Sequence, residues 1–135
     1  MRRSPAPMPN FMNLSMSVQK LGAHMEWHEG LASKAQEWSG KCVFKDDPKE
    51  DRVVSGFRHV GQNIAGSSSV LRGFTRWFEE HRFYNLTQNT CSGVCGHYTQ
   101  LVWAETKYVG CGVTKCPKTE AFPYDLSIVC NYGEA

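Results

Sequence analysis

The sequence predicts a single α+β domain that is stabilised by disulfide bonds. Residues 29–42 and 70–81 repeat apolar side chains at helical spacing, whereas residues 109–115 and 126–132 alternate in the manner of strands. The chain has six cysteines among 135 residues, and an even number at this density is typical of a disulfide framework formed in an oxidising compartment. A chain of this length forms one domain with a core of its own.

Composition and charge argue against two classes of protein. The net charge is only +2 and the basic residues are scattered, which is unlike a nucleic-acid-binding protein. No apolar run approaches the length of a transmembrane segment. Two glycosylation sequons, at Asn13 and Asn85, agree with secretion. The N-terminus lacks the apolar part of a signal peptide, so we interpret the chain as a fragment from which the export signal was removed.

The first 60 residues are predicted to contain one helix between two irregular segments. Three prolines among the first nine residues exclude a helix there, and we expect the methionines that follow to pack against the core. One face of an amphipathic helix then carries Leu31, Ala35, Trp38 and Cys42. Residues 45–60 are rich in charge and lack periodicity, which predicts a solvated loop.

The middle of the chain contains the strongest predicted helix. Its apolar face runs over three turns and consists of Val70, Leu71, Phe74, Trp77, Phe78 and His81. The serines at 67–69 are candidate N-caps. Glu80 lies at the edge of the apolar face, where a carboxylate usually reaches solvent. Ahead of this helix, Gln62 and Asn63 either brace a loop or face a polar cleft, because buried amides need hydrogen-bond partners.

The C-terminal third of the chain contains the first candidate for a site, His97. The four cysteines from 91 to 116 superficially suit a zinc ribbon, but their spacing exceeds the usual one and two further cysteines would be left over. The haem c attachment pattern is missed, and no Gly-x-Ser-x-Gly or comparable nucleophile signature occurs. What remains is His97 and a glutamate of the strong helix. If they converge, they could bind a divalent cation or move a proton.

The residues around His97 carry a recognisable pattern. Three segments closely resemble the two signatures of the CAP superfamily, and these are Cys95-Gly-His-Tyr-Thr-Gln-Leu-Val-Trp103, Val109-Gly-Cys-Gly-Val113 and Val129-Cys-Asn-Tyr132. These are the cysteine-rich secretory, antigen-five and pathogenesis-related proteins, whose domain is also called SCP. Shorter matches follow the family order, and these are Met25-Glu-Trp27, Ala35-Gln-Glu-Trp38, Lys41-Cys-Val-Phe44, Gly61-Gln-Asn-Ile64 and Arg76-Trp-Phe-Glu-Glu80. The resemblance covers roughly residues 20–132.

The resemblance implies a three-layer α-β-α sandwich with a central antiparallel sheet in residues 20–135. Residues 1–19 are then an irregular segment in which the family's first helix is truncated. The implied disulfides are Cys42–Cys116, Cys91–Cys95 and Cys111–Cys130. A truncated helix would leave apolar surface uncovered, so we expect a monomer or a weak dimer.

The resemblance also implies a cleft lined by two histidines and two acidic residues, whose histidines bind zinc in some members. By position, His97 and Glu80 match two of the four residues. Asp46 replaces the other histidine, and Gln62 replaces the other acid. We therefore predict that no cofactor is required and that zinc or another divalent cation binds only weakly, at His97 and Glu80. His59 is an outside candidate for the missing imidazole.

The function that the resemblance implies is binding. We expect a secreted, extracellular and non-enzymatic domain that binds a sterol, another lipid or a protein, in a family whose members act in defence, venom or reproduction. Two alternatives stay open. A hydrolase would use His97 and Glu80 to activate water or a serine, and a structural domain would be part of a larger extracellular protein.

Overall fold

A four-stranded sheet separates two layers of helix in the computed structural model, which describes residues 25–85, 87–102 and 106–134. The strand order is β1-β5-β6-β2, and the bounds are Glu26–Trp27 for β1, Val60–Ser67 for β2, Tyr108–Lys115 for β5 and Leu126–Gly133 for β6. The three long strands pair antiparallel, as predicted, whereas the short β1 runs parallel to β5. This arrangement confirms the predicted α-β-α sandwich.

A small hairpin lies outside the main sheet. It pairs β3, Tyr84–Asn85, with β4, Thr90–Cys91. Asn85 is exposed, and its side-chain oxygen accepts the backbone N–H of Gln88 at 3.0 Å. Glycosylation of Asn85 stays a prediction. The predictions for residues 1–19, including the sequon at Asn13, lie outside the described residues.

Helix α1, Glu29–Ser39, covers one face of the sheet. Its N-cap is His28, whose Nδ1 accepts the backbone N–H of Leu31 at 3.3 Å. The helix ends three residues before the predicted end at Cys42, because Cys42 has a left-handed backbone with φ of 52° that cannot continue a right-handed helix. In the described residues, no helix is long and apolar enough to cross a membrane.

The backbone of α1 lies directly on two glycines of β5. A Cβ atom on Gly110 would come within 2.1 Å of the backbone nitrogen of Ala32, and one on Gly112 within 2.4 Å of Cα of Gln36. Both neighbours are backbone atoms that cannot rotate away. The two glycines therefore set the distance between the helix and the sheet.

Gly110→Ala is expected to lower the free energy of unfolding by about 3 kcal/mol, because the added methyl group must push the helix off the strand. Urea denaturation measures the effect. The matched control is Gly96→Ala, since a Cβ there meets no atom within 4 Å. Equal unfolding midpoints for the two variants would contradict the close packing of α1 on β5.

The other face of the sheet carries α2, Val70–Glu79, and α3, Gly96–Val102. The predicted N-cap of α2 is found at Ser69, whose Oγ accepts the backbone N–H of Arg72 at 3.1 Å. The regular part of α2 ends at Glu79, and a 3-10 turn at Glu80–Phe83 replaces its predicted last residues. His97 lies in α3, whose seven residues are too few for their periodicity to be recognised in the sequence.

The main core lies between the sheet and α2. It includes the fully buried Phe74, Leu101, Val109 and Ile128. The disulfides Cys42–Cys116, Cys91–Cys95 and Cys111–Cys130 are the pairs that the resemblance implies. The first of these ties the loop after α1 to the end of β5, and the second closes the short loop before α3.

The charged loop after α1 is not fully solvated, which corrects the prediction for residues 45–60. Asp47 and Arg52 are both buried. The Nε of Arg52 donates to Oδ1 of Asp47 at 2.5 Å, and its Nη1 donates to the carbonyl of Val60 at 2.9 Å. Burial is tolerated because the two charges pair and the guanidinium also bonds the backbone. The loop is thereby held against β2, next to the site.

Candidate functional site

Glu80 and His97 meet where α2 ends and α3 begins. Oε2 of Glu80 lies 2.7 Å from Nδ1 of His97. Oε1 accepts the backbone N–H groups of His97 at 2.9 Å and of Tyr98 at 3.1 Å. The side chain of Glu80 is only 14% exposed, so this carboxylate does not reach solvent as a glutamate at a helix edge usually does. It fixes both the ring and the backbone of His97.

This contact determines which nitrogen of His97 can meet a ligand. Because an ionised carboxylate only accepts hydrogen bonds, Nδ1 carries the proton and donates a hydrogen bond to Glu80. Nε2 is then the nitrogen available to a ligand. The imidazole stacks on the indole of Trp77, with an angle of 10° between the rings and 6.1 Å between their centres. The ring is therefore held both at its edge and on its face.

The two amides of β2 brace the site and do not line it. Asn63 is buried, and its Nδ2 donates to the carbonyl of His97 at 3.1 Å and to the hydroxyl of Tyr132 at 3.3 Å. Gln62 accepts the backbone N–H of Asp47 at 3.0 Å and donates to Oδ1 of Asn131 at 2.9 Å. Successive residues of a strand point to opposite faces, so Asn63 supports the α3 side and Gln62 supports the loop beside α1.

The four positions that the resemblance assigns to the cleft are therefore not equivalent here. Glu80 and His97 are in contact. Asp46 is exposed, and its neighbour Asp47 bonds Gln62. His59 lines a second cavity with Gly61, Gln100, Thr106, Tyr132 and Glu134, and that cavity shares none of these residues with the one beside His97.

A cavity of about 150 Å³ lies beside the pair. Its lining consists of Phe44, Ile64, Ala65, Gly66, Arg76, Trp77, Glu80 and His97. Ile64 and Ala65 point to opposite faces of β2, so the cavity wraps around the outer edge of the sheet. Phe44 stands at its mouth, 53% exposed, and packs on Tyr124 with 5.7 Å between the ring centres.

Phe44 and Arg76 are not among the site residues predicted from the sequence. Both belong to motifs that match the family, since Phe44 ends Lys41-Cys-Val-Phe44 and Arg76 begins Arg76-Trp-Phe-Glu-Glu80. The signal was therefore the position of these residues within the family matches. Neither periodicity nor residue type distinguishes them from ordinary surface residues.

Three side chains bond carbonyls along the outer edge of β2. The carbonyl of Val60 accepts from Arg52, that of Ile64 accepts from Trp77 Nε1 at 3.0 Å, and that of Gly66 accepts from Arg76 Nη1 at 3.1 Å. An open sheet edge is a template for pairing with another strand. Trp77 and Arg76 thus close this edge and line the cavity at the same time.

The residues of the cavity do not fit a zinc ion held by protein ligands. A zinc site needs three or four ligands, and no three His, Cys, Asp or Glu side chains within the described residues form such a group. Both oxygens of Glu80 already accept hydrogen bonds. The Nε2 of His97, whose side chain is 37% exposed, is left as a single ligand, so weak binding of a divalent cation stays a prediction.

Titration of the protein with zinc at neutral pH is expected to show binding weaker than micromolar, because one imidazole supplies little of the ligand set. Isothermal titration calorimetry measures it. His97→Ala is expected to abolish the residual binding. His59→Ala is the matched control and is expected to leave it unchanged, since His59 lines the other cavity. Submicromolar binding that survives His97→Ala would rule out His97 as the ligand.

Comparison with known proteins gives consistent results. The model of the cysteine-rich secretory protein family, CAP, matches residues 17–132. GLIPR1-like protein 1 of Homo sapiens is 40% identical over an aligned length of 119, and the match covers 83% of this chain and 49% of that protein. Cysteine-rich secretory protein 3 of Equus caballus is 38% identical over an aligned length of 131, and the match covers 91% of this chain and 52% of that protein. The chain thus spans about half the length of these curated relatives.

A solved structure shows the same fold. Venom allergen-like protein 4 of Schistosoma mansoni superposes with a TM-score of 0.78 and is 28% identical. The match covers 93% of this chain and 84% of that one.

Proposed function

Because the chain belongs to the cysteine-rich secretory protein family, CAP, we propose that it is a secreted domain that binds a protein partner at the cavity beside Glu80 and His97. Secretion is supported by the disulfides, since all six cysteines are paired. Such bonds persist in oxidising compartments.

The size of the cavity is the observation that carries the proposal. Sites that enclose a small molecule usually measure about 300 to 1,000 Å³. A cavity of about 150 Å³ is too small to enclose a sterol, but it can accept one side chain or chain end of a partner. The volume therefore favours a protein partner over a sterol that would have to be buried here.

The walls of the cavity are suited to such a contact. Phe44 is half exposed at the mouth, and aromatic side chains are enriched in protein interfaces. His97 is held by Glu80, Asn63 and Trp77 before any partner arrives. A preorganised site loses little side-chain entropy when it binds, which raises affinity without further contacts.

Binding of the fluorescently labelled, secreted protein to cultured cells tests the proposal. Saturable binding is expected, and protease treatment of the cells should remove it because the partner is a protein. Phe44→Ala should weaken the binding. The matched control is Leu71→Ala, since Leu71 is also exposed but lies outside the cavity. Binding to protein-free vesicles of phosphatidylcholine and cholesterol that equals binding to cells would contradict the proposal.

A hydrolase is the second candidate, and the Glu80–His97 contact is the observation that favours it. A carboxylate bonded to Nδ1 orients the catalytic histidine of serine hydrolases in the same way. Incubation with a peptide library, followed by mass spectrometry, separates the two candidates. A binding domain leaves the library intact. Turnover that Glu80→Gln lowers about 100-fold or more would instead identify a hydrolase.

A further inference from the structure

The pairing of the sheet shows which backbone groups point into the cavity. Cys111 and Cys130 lie opposite each other on β5 and β6, with Cα atoms 4.1 Å apart, which is the spacing of a pair without backbone hydrogen bonds. The N–H and C=O of Cys130 therefore point the other way, toward its partner Asn63 on β2. Because this pattern alternates along a strand, the backbone groups of Ile64 and Gly66 point outward from the sheet.

The carbonyls of these two residues already accept hydrogen bonds, from Trp77 and Arg76 respectively. That agrees with their outward direction. The N–H groups of Ile64 and Gly66 point to the same side as the carbonyls. Since Ile64 and Gly66 line the cavity, their N–H groups are hydrogen-bond donors directed into it.

Arg76 adds a positive charge at the same place. Its Nη1 bonds the carbonyl of Gly66, and a guanidinium has five N–H donors, so it can bond this carbonyl and a ligand together. The negative charge of Glu80 is offset by the three donors that its oxygens accept. The polar side of the cavity is therefore suited to an anion with a planar pair of acceptors.

The remaining walls are apolar and aromatic. Phe44 and Trp77 line the cavity together with Ile64. The volume of the cavity is about 150 Å³. That leaves room for a carboxylate and a short branched hydrocarbon chain.

We propose that the cavity binds a carboxylate carried on a short apolar chain. The carboxylate bonds the guanidinium of Arg76 and the backbone N–H of Gly66, and the apolar chain packs between Phe44 and Trp77. This inference rests on the proposed binding function and names the chemical class of its ligand. The carboxylate can belong to a free small acid or to the C-terminal residue of a partner protein.

Titration with 3-methylbutanoate, followed by amide chemical shifts in NMR, tests the inference. Saturable shifts are expected at Gly66 and its neighbours. The isosteric 3-methylbutanamide lacks the charge and should bind about tenfold more weakly or worse, as expected when a hydrogen bond to a charged group is lost. Equal binding of the acid and the amide would overturn the proposal.

Two variants test separately how much the charge and the apolar walls contribute to binding. Arg76→Gln should weaken binding of the acid by about tenfold and leave binding of the amide little changed. Arg72→Gln is the matched control, because Arg72 lies on the same helix but outside the cavity. Phe44→Ala should weaken binding of the acid and of the amide equally. Undiminished binding of the acid to a folded Arg76→Gln variant would also overturn the proposal.

Titration with N-acetyl-alanyl-leucine and with its C-terminal amide identifies the source of the carboxylate. Tighter binding of this peptide than of 3-methylbutanoate assigns the site to a protein C-terminus, and the reverse order assigns it to a small acid. Both orders support a carboxylate site if the amides bind more weakly. If Phe44→Ala weakens binding to cells but acids and amides bind equally, the binding function stands and the carboxylate inference fails.

Discussion

The double variant Cys42→Ala/Cys116→Ala is expected to lose about 4.5 kcal/mol of unfolding free energy. The disulfide joins residues 74 positions apart, and opening it returns the entropy of a long loop to the unfolded chain. Urea denaturation followed by tryptophan fluorescence measures the loss.

The control for this prediction is Cys91→Ala/Cys95→Ala, which opens a bridge between residues only four positions apart. The same loop-entropy relation assigns this bridge about 2 kcal/mol. Its removal should instead act locally, because Cys95 lies two residues before His97. A larger loss of stability for the short bridge than for the long one would contradict the entropic explanation.

Arg52→Met is expected to cost about 3 to 5 kcal/mol, since it leaves the buried carboxylate of Asp47 without a cation. It also leaves the carbonyl of Val60 without its donor. The side chains of Asp47 and Arg52 are only 6% and 5% exposed, so solvent cannot replace the lost contacts. The measurement is again urea denaturation.

Two further variants test the reason for that loss. Lys118→Met breaks the exposed pair between Lys118 and Asp125, whose side chains are 64% and 44% exposed, and should cost less than about 1 kcal/mol. Asp47→Leu/Arg52→Met removes both buried charges and should recover part of the stability of the single variant. A single Arg52→Met variant as stable as the Lys118→Met variant would show that the buried pair is not required.

The buried pair also matters for the proposed function. It fixes the loop that presents Phe44, and the backbone N–H of Asp47 bonds Gln62 on β2. We therefore expect Arg52→Met to loosen the mouth of the cavity as well as the fold.

Much of the fold could be predicted because its signals are local. The apolar spacing of Val70, Phe74 and Trp77 identifies α2 without any knowledge of its neighbours, and the serine cap before it marks its start. The alternation in residues 109–115 and 126–132 identifies β5 and β6 in the same way. Helix α3 was not predicted, because its seven residues are too few for a period to be recognised.

The site was less predictable, because its contacts join residues that are distant in sequence. The family pattern assigns Glu80 to the cleft with His97, but only the structure shows that its carboxylate contacts this histidine, 17 residues later. Asp46, which the family pattern assigns to the cleft, is exposed, and its place in the cleft stays a prediction. The neighbouring Asp47 is buried instead, and Arg52 pairs with it.

By itself, the sequence determined the family, the two main helices, the two long antiparallel strands and the choice of His97 as a candidate site residue, because periodicity and motif order are written along the chain. Only the tertiary structure decided that Glu80 holds His97, that Gln62 and Asn63 brace opposite faces, and that Phe44 and Arg76 line the cavity. The physical reason is that strand register and helix packing determine which distant side chains meet, and neither can be read from local pattern.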